Sequence, residues 1–369
     1  MPSALILFLT ATIYGQMLED STIAVMKRQL VKTHKTRVSV FPYVFYTPET
    51  EIALGVGGII TFYTSKYYLL RPSQVTVSGY YSTRKQYKVT LWPKFYFARN
   101  DIFLSANFNF GGYVDKFWGI GNNTPDIDNE DYDANAFGME ISFEFPPFWI
   151  KRFKHKTGII YDYNNYSITN KRSNPFLQDD EIVGSDGGIS SGIGLGMIWD
   201  SRDNIFYPSK GAYIKLKALF YMKTFASDYD FNWYVADIRK YIGLKNQQII
   251  AFQFYGSFVS DGTPFYELPL LGGGQIMRGY FLGRYRDRLY VAGQTEYRRH
   301  LWRRFGIVAF AGIGDVSERF RDFKIRELKS SIGFGLRFLF NKEENVNIRM
   351  DIGFGRDTNG VYFGVEEAF

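Results

Sequence analysis

The sequence predicts an all-β protein, a transmembrane antiparallel β-barrel of about sixteen strands. Aromatic residues make up 19% of the 369 residues, and 36 residues are glycine. Apolar residues reach 46%, yet mean hydropathy is −0.20, so apolar and polar residues are interleaved. After the N-terminus, no run reaches the ~18 apolar residues of a membrane-spanning helix. Such a composition is typical of membrane barrels; a soluble all-β protein is the alternative.

Composition also limits the possible partners. The chain has no cysteine, which excludes disulfides and thiolate metal sites. Its 44 basic and 37 acidic residues give a net charge of +7. The basic residues are spread along strand-like runs rather than clustered, so nucleic acid is not a predicted partner. No cofactor is predicted.

The N-terminal part divides into two short segments before the barrel. Residues 1–15 form a short apolar core ending in a small residue, which predicts a signal peptide, although a basic start is missing. Residues 16–36 are polar and of mixed charge, and we expect a short periplasmic tail, because fewer than ~40 residues rarely fold alone. Residues 37–369 are the predicted barrel domain.

The strands are predicted from apolar and polar residues that alternate with a period of two. In the segment 345–355, Ile348, Met350 and Ile352 face one way, while Arg349 and Asp351 face the other. The same pattern occurs in 85–97, 101–110 and 213–222. Alternation cannot by itself say which face is outside. About sixteen such runs, however, match a porin-like barrel with a polar lumen.

The connections alternate between short and long. The long ones are 114–132, 165–187 and 259–288, and long loops at one end are typical of outer-membrane barrels. The acidic stretch Asp126–Asp133 lacks the glycine and terminal glutamate of a calcium loop, so it is interpreted as a solvated loop and no metal is predicted.

The longest loop contains the run Leu271–Tyr280, with three consecutive glycines followed by Met277, Arg278, Gly279 and Tyr280. A loop of this length inside a compact domain is usually functional or disordered. This one is too apolar for a solvated tether. We therefore expect it to fold back into the barrel.

The last predicted strand is Val361–Phe369. Its alternation places Val361, Phe363, Val365 and Phe369 on one face, with Glu367 as an exception. A terminal aromatic residue on an alternating strand is similar to the targeting signal of outer-membrane barrels.

Several motifs together resemble the barrel domain of the BamA/TamA family, also called the bacterial surface antigen family. They comprise Met277–Tyr280 on the sixth outer loop, Gly293–Tyr297 on the twelfth strand, Phe310–Val316, and the terminal Phe369. The resemblance covers 195–369. The periplasmic turn after the eighth strand matches through Asp200, Arg202, Asp203, Tyr207, Pro208 and Gly211.

The resemblance implies how the sixth loop is held. In the family, its arginine enters the lumen and pairs with acidic residues of the wall, and alternation here places Glu296 inward. An Arg278–Glu296 pair is therefore predicted. Gly312 stands where the family often has a second inward acid, and Asp315 has the opposite parity, so the second anchor is predicted to be absent. Residues 16–36 cannot hold a POTRA module, which indicates a bare barrel.

Family barrels close weakly between the first and last strands. The first strand here contains Pro42, which cannot donate to a ladder, and the last contains Gly360 and Gly364, which weaken a strand. A labile seam is therefore our hypothesis.

The function implied by the resemblance is assembly, insertion or translocation of proteins or lipids at the cell outer membrane. Expected partners are outer-membrane lipid and lipopolysaccharide, with unfolded outer-membrane proteins or periplasmic proteins as further candidates. A passive pore and a surface adhesin or receptor remain alternatives. An enzyme is not predicted, because none of the three histidines has a nucleophile suggested beside it.

Overall fold

The computed structural model describes residues 36–65, 70–146, 155–178, 181–342 and 345–369. The predicted signal peptide lies outside the described residues, as does the predicted tail except for Thr36. None of the helices in these ranges has the length and apolar character needed to span a bilayer.

Sixteen strands form one antiparallel sheet, and each strand pairs with the next in the chain. This confirms the predicted all-β barrel. The strands are β1 (Arg37–Thr47), β2 (Glu51–Phe62), β3 (Ser73–Ser82), β4 (Tyr87–Phe97), β5 (Ile102–Lys116), β6 (Asp131–Phe145), β7 (His155–Asn170), β8 (Gly187–Asp200), β9 (Gly211–Tyr221), β10 (Phe231–Leu244), β11 (Gln248–Val259), β12 (Leu289–Trp302), β13 (Phe305–Ser317), β14 (Lys329–Asn341), β15 (Val346–Gly355) and β16 (Thr358–Val365).

The two faces of the sheet have the polarity of a membrane barrel. On β14, Ile332, Phe334 and Leu336 are exposed by 64%, 55% and 58% and point outward. The alternate positions of the same strand include Ser331 and Arg337, which are buried in the lumen. An apolar outside and a polar inside are stable only when lipid surrounds the barrel. The soluble alternative is therefore excluded.

The long connections lie at one end of the barrel, which we call the outer end. They include 117–130, 171–186 and 260–288, and the last is the sixth outer loop, called loop six below. The predicted alternation of short and long connections holds only in the middle of the chain. The outer connections next to the seam, 48–50 and 356–357, are short.

Three long outer loops pack together over the lumen. Phe117 from the first, Leu177 from a one-turn helix in the second, and Phe265 and Leu268 from loop six form one buried cluster with Tyr132 of β6. Burial of these side chains gives the outer end an apolar core of its own. This cluster therefore holds loop six in place at the outer end of the barrel.

At the seam, no hydrogen-bonded ladder joins the described strands β1 and β16. Strand β1 pairs with β2 along its whole length, from Arg37 opposite Thr61 to Thr47 opposite Glu51. Strand β16 pairs with β15. Within the described ranges no ladder joins β16 back to β1, so the barrel is nearly closed.

Candidate functional site: loop six and its lumen ring

Loop six enters the barrel as a tongue. A two-residue ladder, Leu270–Leu271 with Tyr285–Arg286, brings the two sides of the loop together. The tongue is the segment 272–284 between them. Gly272 has a φ of 108°, and a Cβ there would lie 2.5 Å from the carbonyl oxygen of Phe281, so this tight entry requires glycine.

The motif Met277–Tyr280 forms the tip of the tongue. Met277 and Tyr280 are buried in one cluster with Tyr290 of β12. Gly279 has a φ of 111°, and a Cβ there would be 2.7 Å from the backbone of Phe354. Its N–H donates to the hydroxyl of Tyr362 on β16 at 3.0 Å. The tip therefore contacts the last strand directly.

Arg278 is fully buried between two carboxylates. Its Nη2 donates to Glu296 of β12, which is the partner that the sequence predicts. Its Nη1 lies 2.8 Å from Oδ2 of Asp351 on β15. The guanidinium also stacks on Phe310 of β13, 3.6 Å from the ring centre. Because these contacts come from three strands, the tip lies inside the barrel.

The prediction that a second acidic anchor is absent was wrong. Asp351 supplies it from β15, whereas the prediction considered only β13. At Gly312 a Cβ would be 3.4 Å from the sulfur of Met277, so the tongue occupies the space that a side chain there would use. Asp315 is buried but binds Lys329 at 2.7 Å instead of Arg278.

Further ion pairs extend this contact to the end of the chain. Nε of Arg298 lies 2.8 Å from Oε2 of Glu296, and Nη1 of Arg337 lies 2.6 Å from Oδ1 of Asp351. Glu367 joins the two sides, 2.7 Å from Nε of Arg337 and 4.0 Å from Nε of Arg298. The resulting closed circuit of alternating charges, called the lumen ring, consists of Arg278, Glu296, Arg298, Glu367, Arg337 and Asp351.

The C-terminal segment turns into the lumen. Strand β16 ends at Val365, and the side chain of Phe369 is buried against Tyr241 and Ala251. The carbonyl oxygen of Phe369 accepts a hydrogen bond from Nη2 of Arg298 at 2.8 Å. The prediction that Phe369 shares a face with Val365 was therefore wrong. Ion pairing of Glu367 outweighs continued alternation; the targeting role of Phe369 remains a prediction.

The turn between β8 and β9 is held by its own side chains. Arg202 pairs with Asp200 at 2.8 Å, and Asp203 accepts the N–H groups of Ser209 and Lys210 at 2.9 and 3.1 Å. Partial burial acts to raise the pKa of Asp203, but hydrogen bonds from the Ser209 hydroxyl and from these backbone N–H groups outweigh it and lower the pKa. Gly211 has a φ of 105°, and a Cβ there would clash with the Ser201 carbonyl oxygen at 2.2 Å.

The same turn folds beneath the lumen ring. Pro208 is buried, and Tyr207 lines a cavity of about 530 Å³ together with Arg337. This cavity lies at the end of the barrel where β1 begins and β16 ends, which we call the inner end. The turn motif therefore narrows the inner end of the barrel, while loop six covers the outer end.

A second cavity, of about 400 Å³, lies in the lumen between β4 and β7 and was not predicted. Glu267 of loop six lines it beside Asp162 and Lys88. Burial, together with the nearby carboxylate of Asp162, raises the pKa of Glu267 to about 7. Within the described ranges, no group of three histidine or carboxylate side chains could hold a metal ion.

The predicted seam residues have different surroundings. Pro42 lies in β1 opposite Val56. At Gly364 a Cβ would be 3.2 Å from Nε of Arg349, so this glycine leaves room for a lumen arginine that pairs with Asp351 at 3.0 Å. Sequence reasoning did not single out Arg298, Arg337 or Asp351 as site residues. Alternation placed Arg298 and Asp351 on the polar faces of their strands, but it could not show which polar side chains meet.

The fold and the inward-facing charges define a transmembrane β-barrel of the outer-membrane type. The chain belongs to the Omp85 superfamily, whose domain profile matches residues 68–369. This confirms the resemblance to the BamA/TamA family and places the protein in the outer membrane as an integral barrel. Loop six, the lumen ring and the seam without a ladder are therefore features of an Omp85 barrel.

Solved structures support the fold. BamA from Haemophilus ducreyi lacking POTRA domains 1–3 is 13% identical with a TM-score of 0.61, and the match covers 90% of this chain and 70% of that one. CdiB from Acinetobacter baumannii is 11% identical with a TM-score of 0.59, covering 91% of this chain and 66% of that one. A comparison with curated protein sequences finds no match.

Proposed function

We propose that this barrel assists the insertion or translocation of proteins or lipids at the outer membrane by opening sideways between β1 and β16. The observation that carries the proposal is the seam without a ladder, in a sheet where every other neighbouring pair of strands is hydrogen-bonded. The backbone groups along such an edge are available to a strand of another chain. The outward side chains of β1, such as Val38, Val40 and Val44, are exposed.

The segments folded into the lumen support this proposal over a passive pore. Loop six occupies the outer half, and the C-terminal segment lies between Arg298 and Arg337 further inside. A pore needs a continuous water path, whereas sideways opening does not. We further propose that the protein is not an enzyme; its buried charged groups pair with one another around loop six instead of forming a nucleophile and base.

A disulfide lock tests the proposal. The chain has no cysteine, so pairs of cysteines placed across β1 and β16 can be screened for the one that crosslinks. The matched control locks β1 to its laddered neighbour with Val38→Cys and Ile60→Cys, which are direct partners. We expect the seam lock to abolish insertion of a client barrel into vesicles and reduction to restore it.

The control lock should leave client insertion unchanged, since β1 and β2 need not separate. Unchanged client insertion by the seam-locked, fully oxidised barrel would exclude sideways opening. Loss of insertion in both locked proteins would indicate that barrel rigidity, and not the seam, is responsible.

A further inference from the structure

Two neighbouring turns at the inner end are basic. The connection between β10 and β11 contains Lys245, and the connection between β12 and β13 contains Arg303 and Arg304, shortly after Arg299. The N–H of His300 donates to the carbonyl of Gln247 at 3.4 Å, so the two turns touch. We call this region the basic turn surface.

Acidic residues are missing from the same stretches of chain. Neither 238–250 nor 297–314 contains aspartate or glutamate. The guanidinium groups of Arg299, Arg303 and Arg304 form no salt bridge within the described ranges. At physiological ionic strength, cations attract anions over about a Debye length, ~8 Å.

Exposed apolar side chains flank these charges. Leu301, Trp302 and Phe305 are exposed by 52%, 60% and 49%. The Arg303 guanidinium lies 4.5 Å from the centre of a Trp302 ring. Tryptophan beside arginine at the end of a membrane strand marks the level of the lipid headgroups. The charges therefore lie where lipid phosphates are found.

The inner cavity of about 530 Å³ adjoins the basic turn surface. Arg299, His300, Arg304 and Arg337 are among its described lining residues, and no carboxylate is. Arg337 is 4% exposed, and its Nη2 has no hydrogen-bond partner among the described residues. A buried guanidinium nitrogen without a partner indicates room for an acceptor oxygen.

We propose that the basic turn surface binds the phosphate of an anionic phospholipid in the leaflet that faces the periplasm. Guanidinium forks hold phosphate oxygens in pairs, and the neighbouring apolar side chains contact the acyl chains. A water-soluble acidic protein fits less well, since it would have to cover the membrane-level side chains of Leu301 and Trp302. The site is independent of the proposed insertion activity.

Lipid retention by the purified full chain tests the proposal. Native mass spectrometry compares phosphatidylglycerol with phosphatidylcholine on the wild type and on the triple variant Arg299→Gln, Arg303→Gln, Arg304→Gln. The matched control removes the same charge from the outer connection 318–328 through Arg319→Gln, Arg321→Gln and Arg326→Gln. We expect the inner triple to weaken phosphatidylglycerol retention by about tenfold or more. Retention by the outer triple should change by less than about twofold.

Equal losses in the two triple variants would overturn the proposal, because net charge alone would then explain binding. Tight binding of an acidic decapeptide without preference for phosphatidylglycerol would favour a protein partner and also overturn it. A readout that needs no variant is the wild-type preference for phosphatidylglycerol over phosphatidylcholine. That preference should fall as salt rises from ~0.05 to ~0.5 M, and its absence at low salt would sink the idea.

Discussion

At the residue scale, Arg278 is the side chain on which the site depends. It is a fully buried cation whose two terminal nitrogens reach carboxylates on different strands, Glu296 on β12 and Asp351 on β15. Planarity of the guanidinium makes this bridge possible, because the two nitrogens diverge at a fixed angle. A lysine at this position would keep the positive charge, but its single ammonium group could not direct two nitrogens at two carboxylates.

We expect Arg278→Ala to destabilise the barrel by about 3–5 kcal/mol, because it removes two buried charge-assisted hydrogen bonds at once, although Glu296 keeps Arg298 and Asp351 keeps Arg337. Glu296→Gln should cost less, since Arg278 keeps Asp351. Asp351→Asn should cost at least as much as Arg278→Ala, since this carboxylate pairs with Arg278, Arg337 and Arg349. The loss of stability caused by Arg278→Lys should lie between those caused by Glu296→Gln and Arg278→Ala. The measurement is the temperature at which the barrel unfolds on gel electrophoresis in detergent, with exposed Arg326→Ala as control.

The opposite ranking would contradict this two-anchor arrangement. If Glu296→Gln were as damaging as Arg278→Ala while Asp351→Asn had no effect, Glu296 alone would hold the loop, as the sequence predicted.

At the element scale, the lumen ring joins loop six to the C-terminal segment. Arg278 belongs to the tongue and Glu367 to the segment after β16, and the ring connects them through Arg298, Arg337 and Asp351. Tyr362 on β16 also accepts the N–H of Gly279. The last strand and loop six are therefore mechanically linked, although 83 residues separate this hydrogen-bonded pair.

Glu367→Gln should loosen loop six as well as the C-terminal segment. Loss of a charged partner in a buried ring costs roughly 1–3 kcal/mol, so the tongue should open more often. We expect faster trypsin cleavage within 272–288 in the folded barrel. The control is Glu366→Gln, one residue earlier, whose carboxylate forms no salt bridge in the described ranges. Identical cleavage of Glu367→Gln and wild type would show that the two elements are not coupled.

At the scale of the whole molecule, the barrel is covered at its outer end and narrowed at its inner end. In its wall, the described first and last strands are not joined by a ladder. Loop six and its neighbouring loops close the outer end, and the turn around Tyr207 with the segment after Val365 narrows the inner end. Neighbouring strands elsewhere are laddered. The weakest part of the wall is thus the seam, and the axial path is the better protected one.

We expect little steady conductance from the wild-type barrel in planar bilayers. The tongue can be removed without strain, because Leu271 and Tyr285 are direct ladder partners. Replacing 272–284 with Asn-Gly, a favoured two-residue turn, should raise single-channel conductance by roughly severalfold, since conduction follows the open cross-section of the lumen. If the wild type conducts as well as the shortened protein, the lumen is open and a passive pore becomes the better explanation.

Much of this arrangement follows from the sequence alone. Alternation predicted the strands, and their number predicted that the polar faces point inward. The run of three glycines and the motifs Met277–Tyr280 and Asp200–Gly211 indicated the long loop and the turn. The reason is local: side chains in a strand alternate whatever their neighbours do. The pair Arg278–Glu296 needed, in addition, the family resemblance.

Only the tertiary structure decided which inward charges meet. Asp351 lies 73 residues from Arg278 in the chain, and their contact depends on how far the tongue crosses the lumen. The inward turn of Glu367 and Phe369 likewise depends on Arg337 and Arg298, which lie on other strands. Alternation fixes the face of a residue but not its partner across a barrel, because that distance is set by closure of the whole sheet.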